Sequence, residues 1–140
     1  MKIFDLHADI GYDILNRKQE NPNAFRNHHL PKLLKGEVMA VGMVSFFEGT
    51  ETLEYAKSMV SHLREQILTN SDLVVPYYGG DLHSTKINAL MTVEGMCYIH
   101  DHVEETLDWL YEQGVRIASL TWNEENDLAT GTKGNPARGL

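Results

Sequence analysis

The run VMAVGMVSFF at positions 38–47 carries a single polar side chain, Ser45, in ten residues. It is far too short to span a bilayer and too continuous for a half-exposed strand, so it reads as a strand covered on both faces. Similar apolar strands are expected at INALMTVEG (87–95), ended by Gly95, and at VRIASLT (115–121), with an opening strand at 2–8. Between them lie two amphipathic helices. Thr50 is placed to cap the first, whose apolar positions Leu53, Ala56, Val60, Leu63 and Ile67 recur at three- and four-residue spacing. The second opens on Asp101 and Glu104 in an Asp-x-x-Glu pattern, takes its buried stripe from Val103, Leu107 and Leu110, and stops at Gly114. Strands alternating with helices in this way are the signature of right-handed parallel βα units.

The remaining segments read as connections. Residues 16–37, NRKQENPNAFRNHHLPKLLKGE, form a polar, Asn-rich link, and LVVPYYGGDLHST holds a proline and two glycines, so it is a connector or at most a short edge piece. The stretch from 122 onward, WNEENDLATGTKGNPARGL, closes on no structural element, and the chain is expected to stop in mid-fold as one incomplete domain, residues 1–140. Four parallel strands in an open sheet would leave the polar face of the first strand needing another layer. In a barrel that face points inward and toward the mouth.

Charge and composition exclude several classes of function. With 20 acidic against 12 basic residues and a formal net charge of -8, the chain has no electrostatic footprint for nucleic acid or an anionic membrane. Cys97 is the only cysteine, so no intrachain disulfide forms. The first ten residues, MKIFDLHADI, interrupt any signal-like apolar core with charge, and a cytoplasmic protein is expected.

Those ten residues also carry the first chemical signal. Strict alternation sends Phe4, Leu6, Ala8 and Ile10 to one side and Ile3, Asp5, His7 and Asp9 to the other. Sites in parallel α/β folds lie at the carboxyl ends of strands, where an imidazole and a carboxylate on one side suit zinc. Asp9 has a second reading as the cap of a following helix. Glu94 ends an apolar strand where a small or turn-forming residue is the ordinary choice, and it faces the same mouth. A carboxylate there can bridge two cations about 3.5–4 Å apart. At the same rim, Trp122 either lines a substrate pocket or packs its loop, and Asn123 either bonds substrate or turns the chain. His100 and His102 read as surface histidines, while His28, His29, His62 and His83 lack a carboxylate at useful spacing in sequence. Cys97 reads as a small buried residue rather than a nucleophile.

Taken together, DLHAD, the strand ending in VEG, and GVRIASLTWNEENDLATG resemble the membrane dipeptidase family, also called renal dipeptidase or peptidase family M19; KGEVMAVGMVSFF is similar to that family's second strand. The resemblance implies a (β/α)8 barrel of the metal-dependent hydrolase type, two zinc ions, and hydrolysis of dipeptides. It matches His7 and Asp9 to the ligands of one zinc and Glu94 to the carboxylate bridging both. Many members have histidine where this chain has Trp122, and some bacterial branches carry Leu-Thr-Trp-Asn as here. The two histidines of the second zinc, a late aspartate and a substrate arginine all follow position 140 in the family. The resemblance therefore implies the N-terminal half of a barrel, inactive alone, supplying only first-metal and bridging ligands, with open strand edges that favour a homo-oligomer. Two alternatives compete: another metal-dependent amidohydrolase, which the Asp at position 9 in place of His disfavours, and a non-catalytic fragment serving as an assembly module.

Overall fold

The computed structural model describes residues 2–139. Its elements are β1 (Ile3–Ala8), α1 (Ile10–Asn16), α2 (Leu30–Lys35), β2 (Val38–Phe46), α3 (Leu53–Thr69), β3 (Val74–Pro76), β4 (Ile87–Glu94), α4 (Val103–Gln113) and β5 (Val115–Ser119). Every strand pairing is parallel. The fold is α/β, with the continuous β1–β2–β4 sheet expected of part of a (β/α)8 barrel. Along the outer edge of β4, β3 pairs with residues 87–89 and β5 with residues 91–94, so two strands share one edge in tandem.

The period-two pattern of β2 and β4 separates the two faces of the sheet. Val41, Met43, Ala89, Met91 and Val93 join Met59, Val60 and Leu63 of α3 in the buried core. On the opposite face Val44 pairs with Thr92, and Phe46 with Glu94. That face is open, which leaves Leu6 at 64% and Ile117 at 49% exposure.

Several sequence expectations need correction. The helical stripe of α3 is as anticipated, but its cap is Thr52, whose hydroxyl accepts from the Tyr55 amide at 3.3 Å, and not Thr50. Asp101 does not cap α4; His102 occupies that position in a left-handed conformation, φ 48°, without a side-chain cap bond. Of the α4 stripe, Leu110 and Thr106 are buried, whereas Val103 and Leu107 are exposed, because β5 beneath them is an edge strand. The supposedly polar link at 16–37 holds a π-helical stretch at Phe25–His29 and α2, which bury Phe25 and Leu30, and α1 just before it buries Ile10 and Ile14. The proline-bearing connector does supply the short edge piece allowed for it, the three-residue β3, so the sheet has five strands among the described residues where four were expected.

The largest correction concerns β1. Phe4 pairs with Ala40 and Asp5 with Val41, but the register then slips so that Ala8 faces Met43. Three steps along β1 match two along β2, as in a bulge, and the strict alternation of side chains ends there. Gly42 makes room for it: a Cβ at that position would stand 2.2 Å from the Leu6 carbonyl oxygen and 3.4 Å from the Leu6 Cα. Because the obstacle is backbone, Gly42→Ala is expected to cost at least the roughly 1–3 kcal/mol typical of overpacking. Thermal denaturation of the variant tests this, and an unchanged midpoint would contradict the close approach.

Candidate functional site

His7 reaches the carboxyl end of the sheet from β1, Asp9 from the first residue beyond it, and Glu94 from the last residue of β4. Two strand spacings, about 9–10 Å, separate β1 from β4 across β2, so only side chains aimed at each other close the gap. They do close it. His7 Nε2 stands 3.3 Å from Asp9 Oδ1 and 3.4 Å from Glu94 Oε2. One ligating atom from each of the three residues lies within 4.8 Å of the others.

Local chemistry explains each placement. Asp9 sits at the cap position of α1 but makes no side-chain cap bond, so its carboxylate is not consumed by the helix. Glu94 is followed by Gly95 at φ 80°, whose amide donates to the Ser119 carbonyl at 3.1 Å, and a Cβ there would stand 2.8 Å from the Phe47 carbonyl oxygen. This glycine turns the chain out of the sheet immediately after the carboxylate. Beside the site, Leu6, His7, Val44, Thr92, Glu94 and Ile117 line a cavity of about 150 Å³. A larger cavity, about 360 Å³, lies at the amino ends of the strands around Lys2, Met39, Thr85 and Lys86 and brings no imidazole and carboxylates together.

The donor set fits a divalent cation of the zinc type. With metal–ligand distances of about 2.0–2.2 Å, tetrahedral ligands stand roughly 3.3–3.6 Å apart. The two N···O separations at His7 match that edge length.

Comparison with known proteins bears on this arrangement. The family profile described as membrane dipeptidase (Peptidase family M19) matches residues 1–139. The chain belongs to the membrane dipeptidase family. It is thereby part of a family of metal-dependent hydrolases. A crystal structure of an amidohydrolase from Pseudomonas aeruginosa is similar in fold, with a TM-score of 0.61 and 21% identity, over 75% of this chain and 33% of that one. The chain thus spans about a third of the solved structure it matches. No curated protein matches it.

The other residues singled out from sequence are placed as follows. Trp122 is 39% exposed and tilts against Phe46 at a ring separation of 5.9 Å, and Phe46 in turn stacks on Tyr12 at 4.1 Å. This dipeptidase-family chain therefore has an aromatic row at its rim of which sequence reading found only Trp122. The signal for Phe46 is its register opposite Glu94, visible only once the β2–β4 pairing is known. Asn123 is engaged in its own loop: its carbonyl accepts from the Lys133 amide at 2.8 Å and its Oδ1 from the Thr132 hydroxyl at 3.0 Å. Asn126 fastens the same loop, donating to the Leu120 carbonyl and accepting from the Leu128 and Ala129 amides. Cys97 is buried, and burial foremost pushes its thiol up; its sulfur lies 3.4 Å from Glu51 Oε2. A protonated thiol of this kind is a poor nucleophile.

His29, read as lacking a carboxylate, has one: Asp13 Oδ2 at 2.8 Å, brought close by the helical segment that the sequence disguised as a link. Asp13, His28 and His29 form a second set of three convergent ligand residues. Two cations already serve that set. Arg17 Nε lies 2.8 Å from both Asp13 oxygens, and Lys32 Nζ lies 2.9 Å from His28 Nε2. A divalent ion there would face both positive charges, so the cluster is a structural ion pair.

Burial pushes the Asp13 carboxyl up, but the hydrogen bonds from Arg17 and His29 outweigh it and leave Asp13 below the ordinary range. Burial also pushes the His29 imidazole down, only partly offset by Asp13, so both partners shift downward and a neutral His29 donates to a charged Asp13. A carboxylate depressed in the folded state stabilises above its unfolded value, about pH 4, and that contribution fades as pH falls through the lowered folded value. The midpoint difference between the native sequence and Asp13→Asn is therefore expected to be largest near neutrality and to shrink below about pH 4. Melting curves at several pH values check this, and a pH-independent difference would refute it.

Proposed function

We propose that this chain supplies the first-metal and bridging ligands of a zinc-dependent dipeptidase. The observation that carries the reading is the convergence of His7 Nε2, Asp9 Oδ1 and Glu94 Oε2 at coordination spacing, at the carboxyl ends of a parallel sheet. His7 and Asp9 would hold one cation, and the Glu94 carboxylate would help to hold it and a neighbouring ion. Zinc bound in such a site supplies Lewis acidity toward a peptide carbonyl and lowers the pKa of water.

The chain's own residues do the rest. His7 offers its Nε2 lone pair only as neutral imidazole, so its remaining proton belongs on Nδ1. Leu6, Val44 and Ile117 border the ligands with apolar surface that strengthens polar interactions inside the cavity. Trp122, with Phe46 behind it, forms one flank where a substrate side chain packs, and Asn123 places the loop that carries the indole. The single domain of residues 1–140 is the N-terminal part of the barrel and associates through its edge strands β1 and β5, giving a homo-oligomer. A cytoplasmic location completes the reading. No helix among the described residues is long and apolar enough to cross a membrane.

Calorimetric titration of the 140-residue chain with zinc is expected to show binding that His7→Ala abolishes, together with little or no hydrolysis of Gly-D-Ala. Zinc binding indifferent to His7 would end the metal assignment. Brisk dipeptide turnover would instead show that this chain builds a full site by itself. Light scattering is expected to give a mass that rises with concentration, and a concentration-independent monomer would count against edge pairing.

A further inference from the structure

We infer that Asp5 is the positioning residue that turns His7 toward Glu94 and Asp9, an inference resting on the metal-site reading above. The Asp5 carboxylate accepts the backbone N–H of His7 at 3.0 Å. The β1–β2 register shifts twice, between Ile3 and Phe4 and between Asp5 and Ala8, and the bond spans the second shift. A side chain bonding to the backbone two residues on offers the chain an alternative to the regular ladder.

The consequence for His7 follows from strand geometry. Asp5 pairs with Val41 and Ala8 with Met43, so two residues three apart in β1 both lie in register with the helix-covered face of β2. In a regular strand neighbouring side chains point to opposite faces, and a shift of one residue exchanges the faces. With Leu6 on the open face, unbroken alternation would carry the imidazole of His7 to the helix-covered face, away from Glu94. Gly42 gives space for the irregularity beneath the Leu6 carbonyl, and Asp5 gives the His7 amide its acceptor. Space alone does not choose the bulged arrangement, whereas a side-chain acceptor for its amide does. Asp5 touches none of the ligand atoms paired with His7, so it acts through backbone conformation.

Zinc titration of the 140-residue chain and hydrogen exchange of the His7 amide by NMR test this together, with Asp5→Ala, Asp5→Asn and Asp5→Glu compared with the native sequence. Asp5→Ala is expected to weaken zinc about 10–100-fold, the usual effect of losing an outer partner of a ligand, while Asp5→Asn, which keeps an acceptor oxygen in place, stays within about 3-fold. Asp5→Glu keeps the charge but lengthens the arm, and is expected to be weaker than Asp5→Asn. The His7 amide should exchange faster in Asp5→Ala than in Asp5→Asn. Native-like zinc affinity and exchange in Asp5→Ala, or an Asp5→Asn as impaired as Asp5→Ala, would overturn the inference. If the native chain takes up no zinc, the metal reading fails while the exchange comparison still decides whether Asp5 fixes the backbone at His7.

Discussion

Everything at the mouth of this sheet depends on a backbone approach rather than on a side-chain contact. The Leu6 carbonyl rests over Gly42 at a distance no other residue type would allow. From that contact follow the register slip of β1 and the span across β2 that brings His7 to Glu94. The parallel ladder between β2 and β4, continuous from Ala40 opposite Asn88 to Phe46 opposite Glu94, is the rigid reference against which β1 is bent. Sites held by regular strands on one side and an irregular strand on the other combine fixed position with adjustable aim.

The parts of the fold legible in the sequence were those whose signal is local. A run such as VMAVGMVSFF states its burial on both faces, and the stripe of α3 states its direction. His7, Asp9 and Glu94 were legible for a related reason, since each is chemically out of place at the end of an apolar strand. What was illegible depends on partners distant in sequence. The helices before β2 are short and rich in asparagine and histidine, so their buried residues do not recur often enough to reveal a period. The pairing of His29 with Asp13 was hidden by the same segment. Thr50 and Thr52 are both good caps by composition, and Glu51 decides between them: its carboxylate takes the amides of Glu48, Gly49 and Thr50 and holds those residues in a loop. Alternation along β1 anticipated that His7 and Asp9 share the side of Glu94, but the slip between Asp5 and Ala8 was hidden, because a bulge leaves no mark on composition.

Membership of the membrane dipeptidase family and the convergence of His7, Asp9 and Glu94 at the rim are separate observations. The family profile knows residue types in order, and the rim knows distances. The second histidine–aspartate cluster shows why distance alone is a poor guide: Asp13, His28 and His29 converge as closely, but arginine and lysine occupy their lone pairs. Net charge around the donors, more than their number, separates a cation site from an ion pair.

The tandem placement of β3 and β5 along β4 has a consequence for how change is tolerated. β3 closes the floor, where Asn88 ties the 77–86 loop through the His83 amide and carbonyl, and β5 starts to pair only opposite Met91 and serves the rim. Strands in a closing barrel slip along one another in this way. The slant divides labour along a single strand, so that insertions in the floor loop can accumulate without moving the residues at the other end.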